Sequence, residues 1–229
     1  MNAGIKGLDG LDPHRYVNTV HVNGVNMKRD PKATATEGTA ARILAAAAQM
    51  LASEGRAALS MRKIAGRLGL SQAALYRHFG SKDELIGTII AAGYAQMLTR
   101  VLDAANGEDD PRQALRKSIR AYVAFALEKP EFFKSLLLEP VGPSGVGIEV
   151  FATGVSRRRR SFGFLAECLV RGMDAGLFAK ADPEITAQAV WAAMFGLTAR
   201  LVIEGKDLRG AGGRIAEREI ELILRGLSA

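Results

Sequence analysis

Ser60-Met61-Arg62-Lys63-Ile64-Ala65-Gly66-Arg67-Leu68-Gly69-Leu70-Ser71-Gln72-Ala73-Ala74-Leu75-Tyr76-Arg77-His78-Phe79 is the stretch on which the fold turns. Ser60 suits an N-cap, because its hydroxyl can accept from a backbone N–H that the first helical turn leaves unpaired. A short helix, Met61 to Leu68, follows. Gly69 permits the positive φ of a tight turn. Ser71 then caps a second short helix, Gln72 to Phe79. Two helices joined so closely must cross steeply, and Ala65 is small where they do. Ile64, Leu68, Leu70, Leu75 and Phe79 supply their shared core, so the outer face of the second helix is left polar. Such a helix fits the DNA major groove, ~12 Å wide. The alternative is a helical hairpin buried in a larger domain. Against it, the second helix is short and polar, it ends in Tyr76, Arg77 and His78, and Arg62, Lys63, Arg67, Arg77 and Lys82 surround it.

Working outward, Ile43, Leu44, Ala47, Met50 and Leu51 recur at helical steps and predict a helix from Ala40 to Glu54-Gly55, with Gly55 in the left-handed cap position. Ser81-Lys82-Asp83-Glu84 has capping-box spacing and opens a fourth helix, to about Ala105. Pro111 suits the first turn of the next helix, running to Glu128, and Pro130 opens a short apolar one with Phe132, Phe133, Leu136 and Leu137. A loop from Pro140 to Gly147 follows. The remaining helices are expected at Glu149–Ala175, Pro183–Glu204 and Gly213–Gly226. The fold class is therefore all-α, with about nine helices. Its expected organisation is a tail or arm over residues 1–36, a helix-turn-helix domain over 37–85, and a ligand-binding and dimerisation domain over 86–229. Tyr16 to Val22 alternates like a short strand with nothing to pair with. Met27 is an alternative start to Met1. Lys28-Arg29-Asp30-Pro31-Lys32 reads as a solvated tail or as a basic arm touching DNA.

Charge supports an anionic partner for the helix-turn-helix. The 229-residue chain has a net charge of +7, and residues 28–88 carry ten Lys/Arg against five Asp/Glu. The single cysteine, Cys168, excludes an intrachain disulfide and fits a cytoplasmic setting. Its apolar neighbours make it a buried small hydrophobe rather than a nucleophile. No run of ~18 or more apolar residues is evident, so no membrane span is expected. The N-terminus lacks the basic-then-apolar order of a signal peptide. No metal-ligand cluster, nucleophile elbow or phosphate-loop glycine pattern is present, which argues against an enzyme and predicts no cofactor and no metal.

Residues 42–85 resemble the DNA-binding domain of the TetR family of repressors. The resemblance rests on Arg42-Ile43-Leu44 and the alanines after it, Glu54-Gly55, Ile64-Ala65, the run Leu75-Tyr76-Arg77-His78-Phe79, and Ser81-Lys82-Asp83-Glu84-Leu85. Leu70 stands where valine is frequent. The resemblance implies that Gln72, Ala73 and Ala74 face base edges, with Gln72 suited to adenine and an alanine to a thymine methyl. Tyr76, Arg77 and His78 would meet phosphates, as would Lys82 at the start of the fourth helix; Ser60, Arg62 and Ser71 would also reach the backbone.

Further along, Phe125-Ala126, Pro130-Glu131-Phe132-Phe133 and Trp191-x3-Phe195-Gly196-Leu197 are similar to a C-terminal subclass of the family with a Trp-His-Gly-type run. Phe195 stands where that subclass often has histidine. This implies a small-molecule effector, and Phe125, Phe132, Leu136, Phe151, Phe164, Trp191, Met194 and Phe195 are the candidates for an apolar pocket, or else plain core. Arg157-Arg158-Arg159-Arg160 reads as a solvated face or as a partner for an acidic group. Ala189, Ala192, Ala193, Gly196 and Ala199 permit close helix approach, and Ala216, Ile220, Ile223, Leu224 and Leu227 make a stripe on the final helix; together they suggest a homodimer, the alternative being that the stripe seals its own domain. The expected function is a ligand-responsive repressor on a palindromic operator. The alternatives are a ligand-independent architectural DNA-binding protein and an activator.

Overall fold

The computed structural model describes residues 34–137 and 163–229. These form nine helices and no strand: α1 (Thr34–Ala58), α2 (Met61–Leu68), α3 (Gln72–Tyr76), α4 (Lys82–Ala105), α5 (Pro111–Glu128), α6 (Pro130–Leu137), α7 (Gly163–Asp174), α8 (Pro183–Ile203) and α9 (Ala211–Leu227). The chain is all-α, as its periodicities predict. Phe151, the run Arg157 to Arg160 and the N-terminal arm lie outside the described residues.

Contacts divide the described chain into two compact units. One comprises residues 34–94 with 129–137, the other residues 95–128 with 163–229. The division differs from the expected boundary after residue 85 in two ways. Residues 86–94 of α4 belong with the helix-turn-helix, because Ile86, Ile89 and Ile90 are buried in its core. Helix α6 joins them too, and packs chiefly on α1. Its Phe132 and Phe133 are both buried. The approach of α6 to α4 depends on Gly93, where a Cβ would overlap the Phe132 ring.

The second unit is built from α5, α7, α8 and α9 and the last turns of α4. Leu115, Ile119, Val123, Leu169, Leu201 and Ile220 are among its most deeply buried side chains. Phe178, just after α7, is 1% exposed. Its ring lies against Gly172, where any side chain would overlap it. Its segment is tied to the end of α9 by Ala179 N donating to Leu227 O at 2.8 Å. Arg112 closes the same corner, donating from Nη2 to Leu177 O at 2.7 Å.

Helices α4 and α8 are long and apolar enough by length and composition to cross a membrane, a test that the core helices of soluble proteins also pass. No run of uninterrupted apolar residues announces this, because charged and small polar residues are spaced through both helices. In α4 half of the most apolar 18-residue window is buried within the protein, and in α8 a third.

Candidate nucleic-acid interface

The geometry of the helix-turn-helix follows from its caps and its buried side chains. Ser60 has an extended backbone, and its Oγ accepts from Lys63 N at 3.1 Å. At the other end of α2, Gly69 is left-handed, with φ 66° and ψ 27°, and Leu70 N donates to Ala65 O at 2.9 Å. Ser71 Oγ accepts from Ala74 N at 3.1 Å and starts α3. Ala65 is buried where α2 and α3 meet, together with Ile64, Leu75 and Phe79, while Leu68 and Leu70 are half-buried. Upstream, helical geometry in α1 ends at Gly55, with φ 74° and ψ 175°: a positive φ as expected, but an extended ψ rather than the left-handed helical one.

Helix α3 is shorter than the Gln72–Phe79 span expected. Regular structure ends at Tyr76, and the following turn is carried by Arg77 N to Ala73 O at 3.2 Å and by His78 N to Leu75 O at 3.0 Å. The tightening lets Phe79 fold under the helix, where it is 5% exposed. With Leu75 and Phe79 turned inward, the opposite face is open. Ser71, Gln72, Ala73 and Arg77 are exposed, Tyr76 is 49% exposed, and Ala74 and His78 are half-buried. Gln72, Ala73, Tyr76 and Arg77 thus present one polar surface with a small apolar spot.

The surrounding cations divide into two groups. Arg67 is held by Glu54 at 2.7 Å. Lys82 turns inward, donating from Nζ to Arg56 O at 3.3 Å, which ties the start of α4 to the end of α1. Arg62, Lys63 and Arg77 have no acidic partner among the described residues, and all three are exposed. The sequence marks Lys63 as one of the surrounding basic residues without assigning it a phosphate, and its exposure on α2 adds it to the candidates. At the start of α4 the capping box is displaced by one residue. Ser81 Oγ accepts from Glu84 N at 3.0 Å, but Glu84 reaches Gly80 N, at 2.8 Å, rather than the N–H of Ser81.

The described pocket candidates belong to both units. Phe125, Phe164 and Met194 are buried in the second unit, and Trp191 and Phe195 are half-buried there, stacked at 5.1 Å with planes 10° apart. Phe132 and Leu136 belong to α6 and therefore to the helix-turn-helix unit. The hydrophobicity of α6 marked it for burial without saying against what. Cys168 is buried, its Sγ donating to Pro111 O at 3.4 Å, and burial pushes its thiol up to about 11. It is protonated at neutral pH and is no nucleophile. Among the described residues no group of three or more His, Cys, Asp or Glu is placed to hold a metal ion.

The final two helices divide between the two readings. Ala216, Ile220 and Leu224 are buried within their own unit, so most of that stripe seals the core instead of facing a partner. The open apolar surface lies chiefly on α8. Ile185 is 67% and Ile203 63% exposed, and Ala189, Ala192 and Gly196 between them are exposed as well. On α9 the exposed apolar residue is Leu222, at 50%.

These features agree with what the chain is similar to. Residues 43–89 match the family model described as bacterial regulatory proteins, tetR family. Residues 115–222 match one described as tetracyclin repressor-like, C-terminal domain. An HTH-type transcriptional repressor from Mycobacterium tuberculosis is 36% identical over 95 residues, which is 42% of this chain and 50% of that protein. The chain therefore spans about half the length of this curated relative. A TetR-family regulatory protein of known structure from Rhodococcus RHA1 is 25% identical, with TM-score 0.62, covering 83% of this chain and 97% of that one. The fold is shared also by a transcriptional regulator from Saccharomonospora viridis solved in complex with choline (20% identical, TM-score 0.68, covering 84% of this chain and 99% of that one). A capped helix-turn-helix within the first match, followed by helices that fall within the second, leaves one assignment: the chain belongs to the TetR family, a family of transcriptional regulators and not of enzymes.

Proposed function

We propose that the chain is a ligand-responsive repressor that binds a palindromic operator as a homodimer in the cytoplasm. The observation that carries this reading is the exposed face of α3, where Gln72, Ala73, Tyr76 and Arg77 stand clear of a core made by Leu75 and Phe79. On DNA, Gln72 reads adenine and Ala73 or Ala74 meets a thymine methyl, while Tyr76, Arg77 and His78 hold phosphates with Ser60, Arg62, Lys63 and Ser71. Lys82 reaches a phosphate by exchanging its bond to the Arg56 carbonyl for a charged acceptor.

Dimerisation is supported by the exposed stripe Ile185, Ala189, Ala192, Gly196 and Ile203 on α8. Small residues between two isoleucines allow two copies of the helix to approach closely. A two-fold dimer also presents two recognition helices about one DNA turn, ~34–36 Å, apart. Repression agrees with the name of the mycobacterial relative, and a small-molecule effector agrees with the choline bound by the Saccharomonospora protein. An effector acts by favouring the conformer with wrongly spaced recognition helices, a coupling of typically ~1–3 kcal/mol.

The test is to challenge the protein–operator complex with a library of small amphiphilic compounds. Release of DNA by one compound, with two chains per palindrome before release, supports the reading. Retention of DNA against every compound, with little preference among sequences, favours the architectural alternative. Binding that raises transcription from a linked promoter favours an activator.

A further inference from the structure

A cleft in the second unit has no part in DNA binding or in the α8 surface. It lies between the first turns of α5 and the last turns of α9, with a volume of about 320 Å³. That is at the lower end of the ~300–1,000 Å³ typical of small-molecule sites. Three guanidinium groups line it, those of Arg112, Arg116 and Arg225, with the amide of Gln113 and the hydroxyl of Ser228 beside them and Leu224 as an apolar wall.

The internal partners of these cations leave charge unspent. Arg225 has no acidic partner among the described residues. Arg116 has only a 3.6 Å contact with Glu217, whose carboxylate is already engaged by both Nε and Nη2 of Arg120. Arg112 is fixed by Nη2, which donates to Leu177 O at 2.7 Å and to Ser228 Oγ at 3.3 Å. Its Nε is buried and has no acceptor. The acidic groups nearby are fewer than the cations: Glu221, on the cleft wall, has a 3.4 Å contact with Arg218, and Asp110 accepts from the backbone N of Arg112 at 2.8 Å. A buried guanidinium N–H without an acceptor among the described residues is uncommon, and it leaves Arg112 with positive charge that those residues do not offset.

We propose that this cleft binds a small organic anion through a carboxylate or phosphate group. The oxyanion pairs with the guanidinium groups of Arg116 and Arg225 beside the positive charge of Arg112, and Leu224 lies along its carbon skeleton. Guanidinium groups suit both head groups, since each offers paired donors to paired oxygens. The site is separate from the aromatic residues considered for an apolar effector.

The experiment follows the Arg112 Nε–H resonance of the full-length protein in ¹H–¹⁵N spectra. Sodium phosphate and sodium succinate are titrated separately, against sodium chloride at matched ionic strength. The expected result is a saturable shift with at least one of the two anions and none with chloride. Saturation by phosphate alone assigns the phosphate head group, by succinate alone the carboxylate, and by both the shared oxyanion chemistry. Arg225→Gln, at an exposed position, weakens binding about tenfold, the loss of one charged hydrogen-bonding partner. Arg214→Gln, elsewhere on α9, leaves it unchanged. A linear drift equal to that in chloride for both anions overturns the proposal, as does a saturable shift that survives Arg116→Gln with Arg225→Gln. The titration of the unsubstituted protein decides the matter even where a variant fails to fold.

Discussion

At the scale of single residues, the account depends on which way neighbouring side chains point. Leu75 is fully buried while Tyr76 and Arg77 beside it are exposed, so one residue anchors the recognition helix and the next two are available to DNA. Two kinds of contact follow, and they are separable. Gln72→Ala is expected to relax base preference at one operator position by ~1–3 kcal/mol while leaving other positions unchanged. Arg77→Ala is expected to weaken all sequences alike and to reduce the salt dependence of binding by about one phosphate contact. Binding isotherms on an operator and its single-base variants, at several salt concentrations, distinguish the two. The caps Ser60 and Ser71 were legible from sequence because a cap is local: its donor lies three residues away. Lys82 was not, because its charge can be read but the path of its stem cannot, and the carbonyl it meets is that of Arg56.

At the scale of elements, α6 shows where periodicity stops being informative. Phe132 and Phe133 predict burial correctly, yet nothing in their spacing says that the burying surface is α1 and α4. Part of that information resides in Gly93, which looks incidental in sequence and leaves room for the Phe132 ring where a Cβ would overlap it. Gly93→Ala is expected to destabilise the protein by ~1–3 kcal/mol through overpacking, and Phe132→Leu in the same chain to recover part of it. Urea unfolding of the two variants measures both. Helix α9 teaches the converse. Its stripe of Ala216, Ile220 and Leu224 has the right period for an interface, but the same period seals a core, and here it is the core that takes them. In helix α8 the small residues Ala189, Ala192 and Gly196 are legible in sequence, but their place on the open face beside Ile185 and Ile203 is seen only once Val190, Met194 and Leu201 turn inward.

At the scale of the whole molecule, two properties are open to measurement. Glutamate replacing Ala192 places a charge in the middle of the exposed α8 stripe; sedimentation is expected to shift from dimer to monomer, with loss of affinity for a palindrome but not of helicity. Stability is expected to fall in acid. The side-chain hydrogen bond from Arg120, aided by the charges of Arg120 and Arg116, holds Glu217 below its ordinary value of 4.5. A carboxylate lowered by folding contributes stability above its unfolded pKa and loses it as pH drops through the folded one. Glu217→Gln therefore flattens the decline of the unfolding midpoint below about pH 4.5, and thermal scans across that range show it. The measurement that bears most directly on the central claim is selection of bound fragments from a random DNA library at two salt concentrations. The account predicts a recovered palindrome whose half-site centres lie about one helical turn apart, ~10 base pairs, and whose preference relaxes at one position of each half-site with Gln72→Ala. Uniform binding without a motif at either salt concentration, or no binding at all, contradicts it.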